Sequence, residues 1–203
     1  MEKRWRNLLA VVAVVAIASV LYLFVGQLPP AEEDDSTPFD LEFYELNQLF
    51  EGHGLELGSS LAANKSFYGL EKSELVSLKG NLKNFSSSSE FKVGELSDAF
   101  VYLVDFAIKR KEFNAKEKVV ESMPSENYCE NIALFEELST LGDGVVTSLA
   151  NFENTHNAFV QSHESELVKH NILYETNLNV ESELELQKGR EISMSLLKGS
   201  CGA

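Results

Sequence analysis

The sequence predicts an all-α protein: an N-terminal transmembrane helix, then an extracytoplasmic up-and-down helical bundle arranged as two bundles end to end. Three observations carry this. Residues 8–25, LLAVVAVVAIASVLYLFV, are 18 residues without a charge. From Phe39 onward apolar residues recur at intervals of three and four, the period of a one-sided helix. No stretch alternates with β-branched residues between turn signals, as a half-buried strand does.

In chain order, residues 1–7 read as a cytoplasmic tail carrying Lys3, Arg4 and Arg6. Residues 8–28 read as a signal anchor, since the uncharged run alone rises roughly 27 Å, close to the hydrocarbon thickness of a bilayer. The basic flank stays inside. The expected address is therefore the inner (cytoplasmic) membrane, single-pass, with the C-terminal part periplasmic. A cleaved signal peptide competes at Ala16-Ile17-Ala18, but the apolar VLYLFV that follows favours an uncleaved anchor. Residues 29–38, from Pro29-Pro30 through Glu32-Glu33-Asp34-Asp35 to Pro38, read as an acidic linker.

Residues 39–124 are assigned to a first bundle and 125–203 to a second. Leu41, Tyr44, Leu49, Phe50 and Leu55 mark a first helix, weakened at Gly52-His53-Gly54. Leu61, Tyr68, Leu75 and Leu82, with Leu78 and Phe85, predict a helix of about 25 residues that ends at Ser86–Ser89. A third spans residues 94–123 on Leu96, Phe100, Leu103, Phe106, Ala107, Phe113 and Val120, and Pro124 stops it. Ser125 is the expected N-cap of a fourth. Its Ile132, Phe135, Leu138 and Leu141 should face inward until Gly142-Asp143-Gly144 breaks it. Residues 145–188 contain neither Gly nor Pro and carry Leu149, Phe152, Phe159, Leu167, Leu173, Val180 and Leu184. A hairpin turning near residues 161–165 is expected there, with a further break at Gly189.

The formal charge of −15 is unevenly spread: residues 1–30 hold three basic and one acidic residue, leaving 14 basic against 31 acidic in the rest. Such a domain repels nucleic acid. Cys129 and Cys201 can pair and close a long loop, while the position of Cys201 near a fraying chain end argues against it. His156, His163 and His170 are seven apart. On one helix that is about 10.5 Å of rise, too far for two imidazoles on one ion, so they read as core-edge residues and no metal site is expected. Two Asn-x-Ser triplets, Asn64-Lys65-Ser66 and Asn84-Phe85-Ser86, are too common by chance to weigh. No GxSxG, HExxH, phosphate loop or Cys–His signature occurs, so neither an enzyme nor a cofactor is expected.

The order of elements resembles the Double All-Helical Ligand-binding domain, the extracytoplasmic sensory part of bacterial histidine kinases and diguanylate cyclases. Ser66-Phe67-Tyr68-Gly69-Leu70 is similar to its Asn-Tyr-Asp-x-Leu element, with Gly69 in place of the acid. Asn114-Ala115 followed by Pro124 resembles its Asn-Ala…Asn-Ser…Pro segment, with Val119 and Val120 where Asn-Ser would stand. Leu167-Val168-Lys169-His170 and then Val180-Glu181-Ser182-Glu183-Leu184 resemble its Leu-Leu-x-His-Ala helix and Val-Asp-x-Leu-Leu element, Asn171 replacing the alanine.

The resemblance implies a membrane-anchored sensory or ligand-binding module without an output domain, since no return span precedes Cys201-Gly202-Ala203. It makes Tyr68, Asn114 and His170 the candidate ligand-binding residues. The partners expected are the membrane, a small-molecule ligand or a protein, and a second copy in a homodimer. The alternative is a structural or assembly protein of the cell envelope that binds partner helices.

Overall fold

The computed structural model describes residues 37–55, 57, 67, 69–168 and 180–202. Helix α1 (Pro38–Glu51) opens on a proline, whose fixed φ and missing N–H suit the first helical turn. Pro38, drawn as the last residue of a linker, is therefore the first residue of this helix. Phe43, Leu46 and Phe50 are the buried face of α1, while Leu41 and Tyr44 are exposed. The helix presents the 39-43-46-50 stripe, not the 41-44 stripe, because three phenylalanines bury more apolar surface than one leucine and one tyrosine. Gly54 stops it at φ 70°, in the left-handed region glycine enters freely.

Helix α2 (Lys72–Ser88) buries Leu75, Leu78 and Leu82. It starts at Lys72 because the Glu74 carboxylate accepts the Glu71 N–H at 2.7 Å, turning the chain at that point. Leu61 and Tyr68 lie outside the described residues. The serines continue the helix to Ser88, and Ser89 forms its end. Glu42 of α1 is fastened there: its carboxylate accepts the Ser89 hydroxyl at 2.5 Å and the Glu90 N–H at 2.8 Å.

Helix α3 (Val93–Glu121) supplies the centre of the core, with Leu96, Phe100, Leu103, Phe106, Ala107 and Phe113 among its buried residues. Two 3₁₀ turns, Ser125–Asn127 and Cys129–Asn131, follow, so the fourth helix is capped at Asn131 and not at Ser125. Helix α4 (Ile132–Ser162) packs along α3 and buries Val145, Leu149, Phe152, His156, Phe159 and Val160. It ends at His163, and a single turn, Glu164–Leu167, follows. Helix α5 (Val180–Cys201) lies against α4 and passes through Gly189 without a break.

Gly142 and Gly144 do not break α4 either. Each lies under a side chain from another helix. A Cβ on Gly142 would stand 2.0 Å from Oε1 of Gln187, and one on Gly144 would stand 3.1 Å from Cδ of Lys109. The glycines mark close approaches of α5 and α3 to α4, which outweigh their lower helix propensity.

One hydrophobic cluster runs from Phe43 to Leu167 within the compact unit Pro38–Ala203. The fold is an all-α helical bundle. Among the described residues no helix is long and apolar enough to cross a membrane. That corrects the expected architecture of a membrane-spanning helix ahead of the bundle, and with it the single-pass inner-membrane address, the periplasmic placement and the membrane as a partner. The segments on which these expectations rest, residues 1–7, 8–28 and 29–36, lie outside the described residues.

Candidate functional site

The helices divide the molecule's length unevenly. On α3 the last buried residue is Phe113, and on α4 the first apolar one is Val145. Between them the α3–α4 hairpin carries Ile132, Phe135, Leu138 and Leu141 only half-buried. All four were expected to face a core: Leu138 and Leu141 do pack against it, while Phe135 and Leu138 also line the groove beside α5.

Helix α5 is held in place largely by polar and covalent links. Of its 22 residues only Gln187 is buried. The Gln187 amide donates to the Ser139 carbonyl and to Oδ1 of Asp143, both at 2.9 Å, over the space that Gly142 leaves open. Arg110 reaches Glu183 at 2.6 Å, and the Arg190 guanidinium lies 4.4 Å from the centre of the Phe113 ring. Lys198 pairs with Glu136 at 2.5 Å. At the end of the helix Cys201 is bonded to Cys129, with their Cα atoms 5.4 Å apart.

Most of these links cluster toward the two ends of α5, from Glu183 to Gln187 and from Lys198 to Cys201. Between α4 and α5 lies an open groove of about 800 Å³, within the size range of ligand sites. Tyr128, Phe135 and Leu138 line one side; Leu186, Met194 and Leu197 line the other. Tyr128 and Phe135 meet edge to face at 5.1 Å, which fixes the aromatic end. On α5, Leu186, Gly189, Ser193, Leu196 and Ser200 recur at intervals of three and four and all line the groove. Leu196 is 71% exposed and Leu186 53%. Covering a leucine of that exposure is worth about 1–2 kcal/mol.

Arg190, the charged residue that lines the groove, is engaged by Phe113, Glu117 and Gln187, and Lys198, outside the lining, is paired with Glu136. On the α4 side, residues 126–143 contain Glu126, Glu130, Glu136, Glu137 and Asp143 and no lysine or arginine; Glu136 and Glu137 are paired with Lys198 and Lys116, and Asp143 accepts the Gln187 amide.

Of the three candidate ligand-binding residues, only Asn114 is among the described residues. Asn114 is exposed on α3 and does not line the groove. Tyr68 and His170 are outside the described residues. His156 is buried against Phe152 and Phe100, with ring centres 5.2 and 6.1 Å away. Burial pushes its pKa below 6.5, opposed by a long contact with Asn157. His163 is stacked on Phe159 at 4.4 Å and accepts or donates at Nδ1 to the Ser162 hydroxyl at 2.8 Å. Among the described residues no three His, Cys, Asp or Glu side chains are grouped to hold a metal ion. A second cleft, lined by Lys83, Glu95, Asp98, Tyr102 and Asn154, is more polar, and its Asp105 is held by Lys79.

No protein-family model, curated protein or solved structure matches this chain. The sensory role implied by the family resemblance is corrected on that finding, because neither a relative nor the described geometry carries it. The groove residues were missed because the sequence reading ended a helix at Gly189. The signal was present: the three-four spacing from Leu186 to Ser200 continues through that glycine.

Proposed function

We propose that this protein acts by recognition and not by catalysis, through the apolar groove between α4 and α5. The observation that carries the reading is the condition of α5. It buries one residue of 22, yet it is fixed in place by a disulfide, three ion pairs and the Gln187 amide. A helix held so firmly while showing leucines to solvent is built to present a surface. The chemistry-bearing side chains stand apart from it: the two described core histidines pack on phenylalanines, and the groove itself is lined by apolar and hydroxyl side chains with one engaged arginine.

The test is titration of the full chain with the neutral dye Nile red. The dye should brighten with one-site saturation, and Ser193→Trp, which fills the groove from α5, should weaken that response about tenfold or more. An undiminished response in the tryptophan variant overturns the reading.

A further inference from the structure

We infer that the partner seated in this groove is a basic amphipathic helix. This rests on the recognition reading above and adds the class of partner.

Length is the first argument. The α5 face from Leu186 to Ser200 rises about 21 Å, the length of a helix of about 14 residues and well beyond a compact small molecule. Surface relief is the second. Leu186 and Leu196 stand as ridges, and Gly189, Ser193 and Ser200 leave low points between them at intervals that a helix's own side chains match. On the opposite side Phe135 and Leu138 receive the same apolar stripe, and Met194 is unbranched and can adapt to its shape.

Charge is the third argument, and it sets the sign of the partner. Residues 126–143 of the α4 side carry five acids and no base. Glu136 and Glu137 are paired with Lys198 and Lys116, and Asp143 accepts the Gln187 amide. Glu126 and Glu130, which flank Tyr128 in the chain, are left to set the sign, while Arg190 is paired with Glu117. Beyond residue 30 the chain carries 31 acidic against 14 basic residues. An acidic helix would be repelled on approach, whereas a helix with lysine or arginine flanking its apolar stripe would be drawn in and oriented.

The experiment uses the full chain and three labelled model peptides of about 14 residues, the length set by the groove. One places leucine and lysine at helical spacing, one replaces lysine by glutamate, and one keeps the leucine–lysine composition in a non-amphipathic order. Anisotropy titrations should show the leucine–lysine helix binding at least tenfold more tightly than either other peptide. Leu196→Glu should weaken it about tenfold or more, and Val76→Glu, on the exposed side of α2, should not. The added carboxylate makes the first variant decisive: diffuse attraction to an acidic surface would be strengthened by it, so unchanged or tighter binding to Leu196→Glu overturns the inference. Equal binding of the glutamate peptide, with the same sensitivity to Leu196→Glu, overturns the basic partner and leaves the recognition reading standing. Absence of binding by all three peptides overturns the helix as partner; the Nile red response then decides whether the recognition reading falls with it.

Discussion

Gly142→Ala is the substitution that most sharply separates this structure from an ordinary helix pair. In an exposed helix, alanine in place of glycine stabilises by about 1 kcal/mol. At Gly142 the new methyl would stand 2.0 Å from Oε1 and 2.7 Å from Cδ of Gln187. The Gln187 amide must then swing away, losing its bonds to the Ser139 carbonyl and to Asp143. Two hydrogen bonds are worth about 1–3 kcal/mol together, and a buried amide left unpaired adds a similar penalty. Against the helix-propensity gain, the expected net is a loss of about 1–5 kcal/mol. Gly189→Ala on α5 is the internal control, since nothing lies within 4 Å of its added methyl; it should stabilise by about 0.5–1 kcal/mol. Urea unfolding followed by circular dichroism, with the disulfide intact, reads both. In the double variant Gly142→Ala with Gln187→Ala the methyl meets no amide, so the two changes should couple favourably by about 1 kcal/mol or more. If Gly142→Ala stabilises the protein as Gly189→Ala does, α5 does not approach α4 as described.

Other outcomes follow from the same packing. Cys129→Ser with Cys201→Ser opens a link between residues 72 apart. The chain-entropy model sets the loss at about 4 kcal/mol, and amide exchange should quicken first in α5. Arg110→Met leaves the Glu183 carboxylate, whose Oε2 has no hydrogen-bond partner among the described residues, without its cation. It should destabilise more than Glu183→Gln, by about 1 kcal/mol or more in chemical unfolding. His156 has a folded pKa below 6.5. As pH falls through 6.5 the unfolded chain takes up a proton that the buried imidazole refuses, so stability is full above that pH and declines below it. Urea midpoints between pH 7.5 and 5.5 should show that decline, and His156→Phe should flatten it.

Where burial follows from one helix's own spacing, the fold was legible. The registers of α2 and α3, the Phe152 and Phe159 positions on α4, and the end of that helix near His163 all follow from apolar period, although no serine side chain caps that turn. What failed depended on a second helix. Gly142 and Gly144 look like breaks unless Gln187 and Lys109 are known to press on them. On α1 two apolar stripes compete, and only the presence of a core decides that Phe39, Phe43 and Phe50 turn inward while Tyr44 does not. The candidate site was hidden for the same reason. Phe135 reads as a core residue because a helical period does not distinguish a wall that is covered from one left open.

The central claim is that the α4–α5 groove is the binding surface, and hydrogen–deuterium exchange on the full chain tests it most directly. Exchange would be measured with and without the leucine–lysine peptide at saturating concentration. The account predicts added protection concentrated in residues 128–139 and 186–200, with α2 unchanged. Saturation of the peptide with protection elsewhere, or spread evenly over the acidic surface, would contradict it.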